Sequence, residues 1–150
     1  MKVASQGTRK VQVLAFVNLA PRGRTVHRDA MPDRCILVVD DEHAITSVLA
    51  TALELQGYTV EVAESAQAAG EKLQDKFIQL AVIDVMMPGE PGTSLAQRAQ
   101  ERGIAVVLMS GEPQAIEELP ASGFSYLQKP FRLAELMAAV ETALHASDAA

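Results

Sequence analysis

The sequence has one cysteine among 150 residues, and no apolar run in it approaches 18 residues. A single cysteine cannot form an internal disulfide, and Cys35 lies in an apolar segment where a small buried side chain is typical. This cysteine usage indicates a reducing compartment. The absence of a long apolar run excludes a membrane-spanning helix. At this length we expect one ordinary domain that needs no disulfide to stabilise its core.

The two ends of the sequence differ in charge. Residues 1–30 contain six basic residues and one acidic residue, a net charge of +5, whereas the remainder contains seven basic and 18 acidic residues, a net charge of −11. The acidic body argues against direct binding of nucleic acid. We interpret residues 1–33 as a basic, disordered extension, with Met31 as a candidate true start. A nucleic-acid arm and a targeting segment are the alternatives for this extension.

Apolar runs alternate with segments of helical periodicity from residue 35 onward. Five short runs predict strands, at residues 35–40, 58–63, 78–84, 104–109 and 124–128. The segments between and after them predict helices, at residues 45–53, 66–76, 94–102, 113–120 and 133–144. Ser65 is the expected N-cap of the second helix, and Gly57 and Gly103 are expected to end the first and third. Five such units in succession predict a parallel sheet covered by helices on both faces.

Polar side chains that suit phosphoryl chemistry follow the predicted strands. The residues at or just past the strand ends are Asp40, Asp41, Asp84, Ser110 and Lys129. Ligands of parallel sheets bind outside the carboxyl ends of the strands. Three carboxylates gathered there repel one another unless a cation lies among them, and Mg²⁺ prefers such oxygen ligands. A carboxylate in this group could also attack phosphorus as a nucleophile.

The ordered set of motifs resembles the receiver domain of two-component response regulators, the chemotaxis-regulator-like superfamily. The motifs are Val39-Asp40-Asp41, the run from Asp84 to Gly92, Ser110-Gly111, and the run from Tyr126 to Phe131. The resemblance covers a receiver domain at residues 34–146 and leaves 147–150 as a tail. It implies an α/β fold of the flavodoxin-like type, with a doubly wound five-stranded parallel sheet of strand order 2-1-3-4-5 and helices on both faces.

The resemblance also implies a role for each site residue. Asp84 would accept the phosphoryl group. Asp41, Asp84 and the carbonyl group of Met86 would bind Mg²⁺ directly, and Asp40 would act through water. Lys129 would bind a phosphoryl oxygen, and the Lys129–Pro130 peptide bond would be cis.

Three further residues would set the response and its duration. Ser110 would hydrogen-bond the phosphoryl group, and Tyr126 would swing inward as that hydroxyl moves. Met86 and Glu112 would tune the loss of the phosphoryl group, because they flank the path of the hydrolytic water.

The implied function is a phosphorylation switch in bacterial phosphorelay signal transduction. A histidine kinase or a histidine phosphotransfer protein would donate the phosphoryl group, and a protein-interaction face would then act on a downstream protein target. The protein would not be an enzyme, since it would catalyse only its own phosphorylation and dephosphorylation. We expect a cytoplasmic monomer or weak dimer without nucleic-acid or membrane contacts.

Two observations qualify this interpretation. Ser110 lies 26 residues after Asp84, and Lys129 lies 19 residues after Ser110. Both spacings are shorter than is usual in the family, so the helices in these intervals should be short and the usual dimerisation mode is in doubt.

A phosphatase of the haloacid dehalogenase type is the alternative, but it needs a second acidic residue where Met86 stands. A flavin-binding module would need a phosphate-binding loop after the first strand, where this sequence has carboxylates.

Overall fold

The computed structural model describes residues 34–75, 77–112 and 124–149. Its strands are β1 (Cys35–Val39), β2 (Thr59–Ala63), β3 (Ile78–Asp84), β4 (Ala105–Ser110) and β5 (Ser125–Gln128). Its helices are α1 (His43–Leu55), α2 (Ala66–Lys72), α3 (Gly92–Glu101) and α4 (Leu133–Ala149). None of these helices is both long and apolar enough to cross a membrane. The basic extension and the predicted helix at 113–120 lie outside the described residues.

The five strands form one parallel sheet in the order β2-β1-β3-β4-β5, which confirms the predicted fold. β1 lies inside the sheet, between β2 and β3, and all five of its residues are buried, which is why its sequence is a continuous apolar run. Its register places Val39 beside Ile83 of β3. The residues that follow these two positions therefore emerge next to each other at the carboxyl edge of the sheet.

Alternate side chains of the strands supply two separate cores. Ile36 and Val38 of β1 pack with α1 and α4 on one face, and Leu37 and Val39 pack with α2 and α3 on the other. This division follows from the two-residue period of a strand. The cysteine lies at the start of β1, and burial raises the pKa of its thiol, as expected for a structural side chain.

Three local signals in the sequence predicted helix ends correctly. The Ser65 hydroxyl accepts a hydrogen bond from the Ala68 N–H at 3.1 Å, as an N-cap should. Gly57 and Gly103, with φ of 100° and 78°, follow the first and third helices in the left-handed region. The prediction that α2 continues to residue 76 was wrong, because Asp75 forms a local turn: its carboxylate accepts the N–H of Phe77 at 2.9 Å.

The last helix is longer than the sequence pattern indicated. It runs from Leu133 to Ala149 and so includes residues 147–149 of the predicted tail. The apolar positions of its predicted face are buried or half-buried against the sheet, namely Leu133, Leu136, Met137, Val140 and Leu144.

The start of α3 packs directly on the backbone of Asp84. The Gly92 N–H donates to the carbonyl oxygen of Val85 at 3.1 Å. A Cβ atom at Gly92 would lie 2.3 Å from the carbonyl oxygen of Asp84 and 2.8 Å from the Cα of Val85. Only glycine fits here, so this contact ties α3 to the end of β3.

Replacing Gly92 with alanine should therefore destabilise the protein. The added methyl group meets backbone atoms that cannot rotate away, and such overpacking lowers the free energy of unfolding by about 1–3 kcal/mol. Urea denaturation measures the loss. Gly111→Ala is the matched control, because a Cβ there would have no atom of the described residues within 4 Å. Equal stability of the two variants would show that α3 can shift away from Asp84.

Candidate functional site

Three carboxylates lie together at the carboxyl edge of the sheet. Asp40 directly follows β1, Asp41 comes next, and Asp84 is the last residue of β3. Each offers an oxygen within 4.8 Å of an oxygen of the others. Asp40 and Asp84 are buried, with exposed fractions of 0% and 5%, whereas Asp41 is exposed. The cluster is therefore an acidic pocket with one open side.

Lys129 reaches into this pocket from the end of β5. Its backbone N–H donates to the carbonyl oxygen of Ser110 at 2.7 Å, which anchors its backbone beside β4. Its ammonium group lies 2.8 Å from Asp40 Oδ2 and 3.5 Å from Asp84 Oδ1. Burial lowers the pKa of Lys129, but the hydrogen bond to Asp40 and the charge of Asp84 outweigh it and raise that pKa. The predicted cis Lys129–Pro130 bond is present.

The Asp84 carboxyl group has an unusual proton affinity. Burial raises its pKa to about 6. The charge of Lys129 opposes this effect, the charge of Asp40 adds to it, and a hydrogen bond from the Met86 backbone N–H opposes it. Burial of the Asp84 carboxylate thus outweighs the opposing charge of Lys129, and a further cation would favour the ionised form of Asp84.

Both carboxylate oxygens of Asp40 already have protein partners. Oδ1 accepts the N–H of Glu42 at 2.9 Å, just before the first residue of α1, and Oδ2 accepts the ammonium group of Lys129. Its backbone N–H donates to the carbonyl oxygen of Ala63 at 3.2 Å. Asp40 is therefore held in place by three elements, whereas the exposed Asp41 faces solvent.

Four further predicted site residues lie at or near the ends of β3, β4 and β5, namely Met86, Ser110, Glu112 and Tyr126. Ser110 is fully buried at the end of β4, and its hydroxyl accepts the Glu112 N–H at 3.0 Å and donates to the Glu112 carbonyl at 3.2 Å. Glu112 is exposed, and the Met86 side chain is 54% exposed. Tyr126 is half-buried on β5 and packs against the core on the α2–α3 side. The functional roles of these four residues stay predictions.

A polar network beside Asp41 was not predicted from the sequence. Glu64, directly after β2, binds the imidazole of His43 and accepts the hydroxyl of the buried Thr46 at 3.2 Å. The hydrogen bond from His43 lowers the pKa of Glu64. This network joins the first turn of α1 to the end of β2. No motif signals it, because its members come from separate segments and only the parallel pairing of β1 with β2 brings them together.

Curated relatives match most of this chain in sequence. VanR of Enterococcus faecium is 32% identical over 113 residues, which are 73% of this chain and 49% of VanR. The phosphate regulon regulator PhoB of Pseudomonas aeruginosa is 33% identical over 121 residues, which are 76% of this chain and 53% of PhoB. The chain thus spans about half the length of these curated relatives.

Solved structures agree with the sequence relatives. A CheY-like receiver domain from Methanospirillum hungatei superposes with a TM-score of 0.71 at 28% identity, over 78% of this chain and 98% of that one. The response regulator TrrA from Thermotoga maritima, solved in complex with Mg²⁺-BeF, gives a TM-score of 0.67 at 29% identity, over 74% and 99% of the two chains. The family model for the response regulator receiver domain matches residues 36–141. The chain belongs to the response regulator receiver domain family.

Proposed function

We propose that this receiver domain is phosphorylated on Asp84, with Mg²⁺ bound beside it, by a histidine kinase or a histidine phosphotransfer protein. The observation that carries the proposal is the joint position of Asp40, Asp41, Asp84 and Lys129. Three carboxylates and one ammonium group share a pocket at the strand ends. A phosphatase of the haloacid dehalogenase type is disfavoured, because Met86 offers no general acid there and the family is that of receivers.

The donor set fits a hard divalent cation. All the available side-chain donors are carboxylate oxygens, and the pKa of Asp84 is raised because its carboxylate is buried, a cost that a bound cation would offset. Asp41, Asp84 and the Met86 carbonyl group would hold the ion. Asp40 would act through water, since its own oxygens are committed to Glu42 and Lys129. When bound, Mg²⁺ supplies positive charge that offsets the repulsion between the carboxylates and an incoming phosphoryl group.

Asp84 is the nucleophile in the proposed transfer. One of its carboxylate oxygens forms a bond to phosphorus while the bond from phosphorus to the donor histidine nitrogen breaks, and the nitrogen keeps the electron pair. Lys129 holds a phosphoryl oxygen as a point charge, because its ammonium group already lies 3.5 Å from Asp84. The transfer then needs in-line placement of the donor more than it needs acid–base chemistry.

The switch follows from competition for the Ser110 hydroxyl. This hydroxyl bonds the backbone of Glu112, and turning toward a phosphoryl oxygen would break both bonds. The backbone at Glu112 would move with it, and Tyr126 could then swing inward. The resulting change of surface would be recognised by a downstream protein target. We also propose that residues 34–146 form the domain, with α4 continuing beyond it to Ala149, and that it acts in the cytoplasm as a monomer or weak dimer.

Labelling with a small phosphodonor tests the proposal directly. With Mg²⁺ and acetyl phosphate, the protein should incorporate one phosphoryl group, and EDTA should prevent incorporation. Mass spectrometry of the intact protein measures the product. A protein that is labelled equally well in EDTA would contradict the proposed metal requirement.

The side chain of Met86 should slow the loss of the phosphoryl group. It is exposed at the rim of the pocket, and a thioether cannot orient an attacking water as an amide can. Met86→Asn should therefore accelerate dephosphorylation about threefold to tenfold, or about 0.7–1.4 kcal/mol of barrier. Met86→Leu is the control, since leucine is apolar and bulky too. Equal decay in the asparagine variant and the wild type, at one Mg²⁺ concentration, would refute the shielding role.

A further inference from the structure

The loop at residues 85–91 carries the Met86 carbonyl group to the candidate site. Its ends are held by backbone bonds: Val85 donates to a β4 carbonyl at 2.8 Å, and Gly92 donates to the Val85 carbonyl at 3.1 Å. Near its start, Met87 packs against the core between the sheet and α2–α3. The second half of the loop instead lines an open groove whose other wall is α2. Apolar packing therefore does not determine where this half lies.

An ion pair spans the groove side of the loop. Both carboxylate oxygens of Glu90 lie 2.8 Å from Nη2 of Arg98, in the last turn of α3. The guanidinium group also lies over Gly70 of α2, where an added Cβ would be 3.2 Å from Nη1. Pro91, at the N-cap position of α3, supplies no side-chain cap hydrogen bond. Arg98 thus connects the loop, α3 and α2 at a point where the helix start has no side-chain cap.

We propose that Glu90 and Arg98 are positioning residues for the phosphorylation site. Their ion pair holds the 85–91 loop so that the Met86 carbonyl and the Asp84 carboxylate keep the orientation that metal binding and phosphoryl transfer require. This inference rests on the proposed function. Because both side chains are partly exposed, the pair contributes little to global stability. A small displacement of a reacting group nevertheless lowers a transfer rate strongly. We therefore expect loss of the ion pair to change metal binding and phosphoryl transfer more than global stability.

Arg98→Gln tests the inference because glutamine has a helix propensity close to that of arginine and cannot form the ion pair. We expect the rate of phosphorylation by acetyl phosphate at saturating Mg²⁺ to fall about threefold to tenfold, and Mg²⁺ affinity to fall by about the same factor. The urea midpoint should change little. Lys72→Gln is the matched control: it breaks the 2.8 Å ion pair with Glu61 and removes the same charge, but leaves the loop contacts intact.

Charge reversal distinguishes an effect of the Glu90–Arg98 ion pair from an effect of the Arg98 side chain alone. Arg98→Glu alone should lower the rate at least as much as Arg98→Gln, and adding Glu90→Arg should recover most of it. If the wild type binds no Mg²⁺ and accepts no phosphoryl group, the proposed function fails and the inference fails with it. If the wild type is labelled normally and Arg98→Gln behaves like Lys72→Gln, the inference alone is overturned. A double variant that recovers none of the lost rate would also overturn the inference alone.

Discussion

Asp84→Asn is expected to abolish phosphoryl incorporation, because an amide nitrogen or oxygen cannot replace the carboxylate that attacks phosphorus. The variant keeps the shape of the side chain, so the loss reports chemistry and not misfolding. Intact-mass measurement after incubation with Mg²⁺ and acetyl phosphate gives the result. Glu101→Gln, which neutralises an exposed carboxylate on α3, is the control and should be labelled fully. Undiminished labelling of the Asp84 variant would place the acceptor elsewhere.

Asp84→Asn should also be more stable than the wild type at neutral pH when no metal is present. The pKa of Asp84 is about 6 in the folded protein, against about 3.9 in an unfolded chain. The protonated carboxyl group therefore contributes stability that is fully present below pH 4 and is lost as the pH rises through 6. Asparagine has no charge to bury, so the advantage of the variant should grow over this range.

At pH 7 the free energy of unfolding of Asp84→Asn should exceed that of the wild type by about 1–3 kcal/mol. The upper end of this range corresponds to the difference of about two pKa units between the folded and unfolded states. Urea denaturation at pH 4 and pH 7 in EDTA measures it. Added Mg²⁺ should stabilise the wild type far more than the variant, because the ion favours the ionised carboxylate. A difference that is constant between the two pH values would show that ionisation of Asp84 does not cause it.

The sheet and the position of the site could be predicted from the sequence because both depend on backbone topology. A buried run that ends in Asp40, and another that ends in Asp84, determine which side chains emerge at the carboxyl edge. The glycine and serine signals at helix ends are local and were also reliable. The predicted end of α2 was wrong, because the turn at Asp75 competes with the helix through a side-chain bond that helix periodicity does not report.

The partners of each site side chain could not be predicted in the same way. Lys129 lies nearer to Asp40 than to Asp84, and the Ser110 hydroxyl bonds the Glu112 backbone. These choices depend on distances among three strands and a loop, which no spacing along the chain encodes. The Glu90–Arg98 pair is similar: eight residues separate the two side chains, and the helix start and Gly70 together decide whether they can meet.

Lys129→Met should reduce the rate of phosphorylation about 100-fold at saturating Mg²⁺, since a preorganised charge on a transferring group is commonly worth this much. Among the ion pairs of the described residues, Lys129 supplies the cation that lies 3.5 Å from Asp84. Its charge also lowers the pKa of Asp84. Its removal should therefore shift the rate–pH profile to higher pH as well. Single-turnover labelling between pH 5 and 9 measures both effects.

The alternative role for Lys129 is only to neutralise Asp40, to which it is 2.8 Å away. In that case the variant would be less stable without metal, but saturating Mg²⁺ would restore a rate close to that of the wild type. Lys72→Met controls for the loss of one positive charge, because its ion pair with Glu61 lies on β2 and α2. Lys129→Arg keeps the charge on a planar, longer group and should retain an intermediate rate. A methionine variant that matches Lys72→Met in rate and pH profile would therefore remove Lys129 from the transfer step and leave it a structural counter-ion.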